Sequence, residues 1–181
     1  MKQKVDHKFN SQQKAEALKY IPVDLATQLY KLEKAAIDRR FIKSISYGEK
    51  SNMFHLASSA WGKTIKCLSD LPEQVKFILI VEKIIIFSKE AAFYSYKEIV
   101  DNNTNLYEQY LTRELIALSF CCMVGEYNRI EVAKKNLLTV AIKMRDNLGE
   151  IETGLLFLKI FTFLFFLLGL FLALARRICP I

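Results

Sequence analysis

Hydrophobic residues recur along this chain at three- and four-residue intervals, with charged positions between them and no run of strict alternation worth reading as a strand. About 3.6 residues complete a helical turn, so this spacing predicts helices that each bury one stripe. Turn signals divide the pattern. A first helix is expected from about Ser11 to Tyr20, and Pro22 opens a second that carries Leu25, Leu29, Leu32 and Ala36. Asp70 with Pro72 and Glu73 marks another start, and so does Asn105 with Glu108 after the polar loop DNNTN. Gly125 closes that helix; Asn128 and Glu131 then form a capping box for one that ends near Leu148. The predicted class is all-α.

Three segments change the picture. From Asp38 to Trp61 the sequence reads DRRFIKSISYGEKSNMFHLASSAW. On one continuous helix Phe41, Ile42, Ile45, Met53, Leu56 and Ala60 share an arc, opposite Arg39, Lys43 and Lys50 with Arg40 at the edge. Ser51 is the candidate cap for the half that begins at Asn52. Such a helix either packs in a bundle with a solvated basic side or lies among lipid headgroups. In the second segment, PEQVKFILIVEKIIIFSKEAAFYSYKE, the charges Lys76, Glu82, Lys83, Lys89, Glu90 and Lys97 return about every seven residues on an otherwise apolar cylinder. This helix is expected to be buried in a bundle or embedded in an interface, and a second membrane pass is the costlier alternative because it would bury several charges at once.

The third segment is GLLFLKIFTFLFFLLGLFLALA, Gly154 to Ala175. At about 1.5 Å per residue it reaches roughly 33 Å, against about 30 Å for a hydrocarbon core. Its nine Leu and six Phe outweigh the one charge, Lys159, which sits close enough to the end to snorkel. The expected architecture is a membrane-associated helical bundle with amphipathic helices and a C-terminal transmembrane helix. Residues 1–149 would form a cytosolic or interfacial domain, and residues 150–181 the anchor and a short tail. Met1 to Lys19 has no apolar h-region, so secretion is not expected.

Composition agrees: 52% hydrophobic residues beside 25% charged ones is high for a soluble chain. The net charge of +7 is spread along helices beside an anchor, which points to anionic lipid headgroups and away from nucleic acid. The four cysteines show no paired spacing, and Cys121 and Cys122 lie inside an apolar run where buried thiols are expected. His7 and His55 have no acidic or cysteine partners at ligand spacing, and no phosphate loop, nucleophile elbow or metal motif is present. No catalysis, cofactor or metal is therefore expected.

The order of segments is more specific than any of them alone. LYKLEKAAIDRRFIKSISYGEKSNMF, CLSDLPEQVKFILIVEKIIIFSK, NLYEQYLTRELIALSFCCMVGEYNRIEV and LLTVAIKMRDNLGEI precede an apolar segment. This succession, from about Gln12 to Gly169, resembles the peroxin-eleven family of peroxisomal membrane-elongation proteins. The chain departs from the family at its N-terminal signature, where only Lys14, Leu18 and Tyr20 stand in suitable places. It also lacks the family's glycine-rich linker.

The resemblance implies a membrane wedge of Phe41, Ile42, Ile45, Met53, Phe54 and Leu56, with Arg39, Arg40, Lys43 and Lys50 as headgroup contacts. It further implies a homo-oligomer on the peroxisome or a related microbody, which elongates the membrane before fission and recruits fission machinery. Two alternatives stand beside it: a tail-anchored helical adaptor for a cytosolic partner, and a small pore.

Overall fold

The structure is a computed structural model that describes residues 9–148 together with Ile160, Thr162 and Phe163. Seven α-helices follow one another among the described residues: α1 (Ser11–Lys19), α2 (Val23–Arg40), α3 (Tyr47–Cys67), α4 (Glu73–Leu79), α5 (Ile86–Asn102), α6 (Tyr107–Met123) and α7 (Asn128–Leu148). No strand interrupts them, so the all-α expectation holds. No helix among the described residues is long and apolar enough to cross a membrane. The anchor expected over residues 150–181 lies outside the described residues except for Ile160, Thr162 and Phe163, which are helical.

A π-helical segment, Ile80–Ile85, joins α4 to α5 without leaving right-handed helical geometry. The result is one rod from Glu73 to Asn102, about 45 Å long at about 1.5 Å per residue. It is the striped segment, and the bundle is built around it. Its charges reach several neighbours. Glu82 pairs with Lys14 of α1 at 2.7 Å, Lys83 with Glu33 of α2 at 2.8 Å, Glu90 with Arg40 of α2 at 3.4 Å, and Lys89 with Glu126 in the α6–α7 turn. The apolar remainder explains the burial: Val75, Ile78, Leu79, Val81, Ile84, Ile85, Phe87, Ala91, Ala92 and Ile99 are all core residues.

α3 makes the most extensive contact with α5. The two run antiparallel through small residues. The Gly48 amide donates to Glu98 Oε2 at 2.7 Å, the Ser51 hydroxyl to the Ala91 carbonyl at 2.5 Å, and Ser58 meets Ser88 at 2.6 Å and the Ile84 carbonyl at 3.3 Å. At the far end Gly62 faces Ile84. Spacings of three and four keep these contacts on one line down each helix. α2 lies against α3 and is tied in by Glu33, which accepts from Trp61 Nε1 at 2.5 Å while the Lys83 ammonium lies 5.3 Å from the Trp61 ring centroid. α6 packs along the rod, with Cys121 and Val124 against Val81 and Ile85, and α7 joins it at the C-terminal end of α5, where Ile99, Tyr107, Tyr110 and Val140 form a separate core cluster.

α1 starts at Ser11 as expected, behind a capping box of Asn10 and Gln13. Two other expected helix caps are not formed. α6 starts at Tyr107 after Leu106, with no side-chain cap, so Asn105 does not cap it. Ser51 caps nothing; it lies inside α3, buried against α5. Gly125 ends α6 as expected, in a left-handed conformation (φ 78°) that an L side chain rarely adopts.

Ser51 serves two helices at once, so Ser51→Ala should cost about 1–3 kcal/mol, the usual penalty for stranding a buried polar partner. A methyl group at Gly62 would come no closer than 3.9 Å to Ile84 Cδ1. Gly62→Ala should therefore stabilise the chain by about 0.5–1 kcal/mol through helix propensity. Urea unfolding of both variants, followed by circular dichroism, measures the contrast.

Candidate membrane-contact site

The single amphipathic helix expected over Asp38 to Trp61 is not formed. α2 stops at Arg40 and α3 begins at Tyr47, with a turn over residues 41–46. A reciprocal cap marks the break: Ser46 Oγ accepts from the Glu49 amide at 3.1 Å while Glu49 accepts from the Ser46 amide at 3.3 Å. This reciprocal cap satisfies donors that a continuous helix would have paired along its axis, and it starts α3 in a new direction. Residues before and after the turn no longer share one arc.

The expected wedge is divided accordingly. Phe54 is only 2% exposed; its ring stacks on Tyr94 with centroids 5.6 Å apart and tilts against Phe87 at 5.9 Å. Lys50 is buried as well, its ammonium 5.7 Å from the Tyr47 ring centroid and 5.9 Å from that of Tyr94. Met53 is half-buried on the same cluster, and its Sδ accepts from Arg39 Nη1 at 2.8 Å. Arg40 is engaged with Glu90, and Ile45 is half-buried. Phe41 (75% exposed), Ile42, Lys43 and Leu56 face outward. The first three are consecutive at the corner between α2 and α3, beside Arg39.

One exposed feature went unread in the sequence. Val23, Tyr30 and Ile37 are solvent-facing on α2 and lead to Phe41, a row about 27 Å long at about 1.5 Å per residue. The signal was present as a seven-residue repeat, hidden by the stronger core pattern of Leu25, Leu29, Leu32 and Ala36 on the same helix.

The interior holds the strongly perturbed ionisable groups. Glu114 has no exposed surface and accepts from Arg129 Nη2 at 2.6 Å. Burial raises its pKa above the ordinary 4.5, and Arg129 offsets part of that rise. Tyr110, next to it, is pushed upward by burial and by the Glu114 charge. The Cys121 thiol is buried and pushed up to about 12, which keeps it protonated and inert. Among the described residues no group of His, Cys, Asp and Glu side chains is arranged to hold a metal ion. Fold and site together define a helical bundle with a buried ionic interior and a small apolar-basic corner. Comparison with protein-family models, with curated proteins and with solved structures finds no match for the chain.

Phe54→Ala should cost about 3–5 kcal/mol as a core cavity. Phe41→Ala should stay within about 0.5 kcal/mol, as an exposed position does. Thermal melting separates the two, and equal losses would contradict the division of the wedge described above.

Arg129→Gln should cost about 3–5 kcal/mol at neutral pH, because it leaves the Glu114 carboxylate buried without its counter-charge. The folded-state pKa of Glu114 is raised, so this group favours folding most below its unfolded pKa and loses that contribution as pH rises through the folded value. The variant's deficit should therefore shrink as pH falls toward the carboxylate range. Urea unfolding at neutral and acidic pH measures it.

Proposed function

We propose that the chain is a non-catalytic membrane protein, anchored by Gly154–Ala175, whose helical domain lies on the cytosolic face of an organelle membrane and remodels it as a homo-oligomer. By the family resemblance the organelle is the peroxisome, and the outcome is elongation ahead of fission. The observation that carries the reading is the exposed corner of Phe41 and Ile42 beside Arg39 and Lys43, in a chain with an apolar run of bilayer length. Burying two large apolar side chains contributes about 1.5–3 kcal/mol each. Each cation near an anionic surface adds about 1 kcal/mol. The corner is a smaller wedge than the single helix expected from sequence, because Phe54 and Lys50 belong to the core; tethering by the anchor and repetition in an oligomer would multiply its effect.

A second reading is a tail-anchored adaptor that recruits a cytosolic protein or the fission machinery. The exposed row Val23, Tyr30 and Ile37 on α2 favours it, since apolar residues at seven-residue spacing suit a partner helix.

The test is the full-length chain carrying a fluorescent tag, compared with Phe41→Glu plus Ile42→Glu in the same protein. Wild type should sit on peroxisomes and elongate them, and the double variant should sit there without elongating them. Elongation by the double variant would sink the wedge. Recruitment lost on Tyr30→Glu plus Ile37→Glu, with membrane shape unaffected by either pair, would establish the adaptor.

A further inference from the structure

A charge inside a protein is ordinarily matched by an opposite charge. The bundle follows this rule at Lys83 with Glu33 and at Arg129 with Glu114. Arg113 of α6 breaks it. Its side chain is 7% exposed, and its hydrogen-bond partners are all neutral. Nη1 donates to Ser51 Oγ at 2.6 Å and to Ser95 Oγ at 3.4 Å, and Nη2 donates to Asn52 Oδ1. Among the described residues no carboxylate forms an ion pair with it. Burial lowers its pKa with no neighbouring acid to offset the effect.

The donor count is equally unbalanced. A guanidinium carries five N–H groups. Three are used here, and two are left over. Ser51 donates its own proton to the Ala91 carbonyl and accepts from Arg113, which can only donate. Asn52 offers its oxygen to Arg113 and keeps its amide N–H groups at the surface. His55, one turn further along α3, is half-buried; burial and the Arg113 charge hold its pKa below 6.5. α3 and α6 thus bring together a full positive charge and a set of donors, with no carboxylate bonded to the guanidinium among the described residues.

We propose that Arg113, Asn52 and His55 form an anion site that takes a phosphate group, with the two spare Arg113 N–H groups as a bidentate clamp and the Asn52 amide and His55 ring as flanking donors. The phosphate can come from solution or from a lipid headgroup. The site does not depend on the membrane-remodelling reading; it depends on a fixed, uncompensated guanidinium.

The experiment uses the full-length chain in neutral-detergent micelles, titrated with inorganic phosphate by calorimetry while the His55 ring is followed by NMR. Saturable one-to-one binding is expected, with the His55 titration moving upward in pH. Arg113→Gln should weaken binding at least tenfold and Asn52→Ala severalfold. Vesicles of phosphatidylcholine with and without phosphatidic acid separate the sources: binding at least tenfold tighter to phosphatidic acid, and competed by free phosphate, assigns the lipid. Equal affinity assigns the free anion. Phosphate binding in micelles with no vesicle binding would remove the membrane-surface reading and leave the site standing.

No binding of either probe by wild type overturns the proposal, and so does wild-type affinity in a folded Arg113→Gln. Should Arg113→Gln fail to fold, Asn52→Ala and His55→Ala decide: wild-type affinity in both overturns it.

Discussion

The close antiparallel approach of α3 to α5 is the constraint on which the other contacts depend. It is possible because Gly48, Ser51, Ser58 and Gly62 present little bulk where Glu98, Ala91, Ser88 and Ile84 face them. At that distance hydroxyls can reach the carbonyls of the neighbouring helix, so Ser51 and Ser58 satisfy their own polarity and couple two backbones. The same seam sets what lies on either side. Phe54 reaches Tyr94 because α3 is seated this deeply, and Ser51 accepts from Arg113 while it donates its own proton to the Ala91 carbonyl.

The outer helices are oriented on this seam by charge as much as by apolar burial. Lys83, Glu82 and Glu90 each project from the central rod to a different partner on α1 or α2. Partly buried pairs contribute little net stability once desolvation is counted. Their geometric demand is strict, however, since a helix that slid by one turn would leave several charges unmatched at once. The Glu33, Trp61 and Lys83 group shows the same logic within one cluster: one carboxylate accepts from an indole and from an ammonium, holding α2, α3 and the rod in register.

What the bundle leaves outside bears on function. The residues that would make the strongest wedge, Phe54 above all, are those the core uses. The corner of Phe41 and Ile42 is left exposed because, among the described residues, nothing covers the turn between α2 and α3. Arg113 is the converse, an interior charge whose neutralising partner is not supplied by the bundle.

The sequence by itself determined the all-α class, the start of α2 after Pro22, the end of α6 at Gly125 and the span of α7, because periodicity, proline and left-handed glycine act within a few residues. It left the striped segment either buried in a bundle or embedded in an interface, and did not show that its charges would be divided among α1, α2 and the α6–α7 turn. Only the tertiary structure decided that Asp38 to Trp61 would break at Ser46. The Ser46 and Glu49 cap makes the break available locally, and folding back there buries Phe54 and Ser51 against α5. Arg113 and His55 stand 58 positions apart and carry no motif. Their proximity follows from where α3 and α6 are placed on the central rod, which no local pattern encodes.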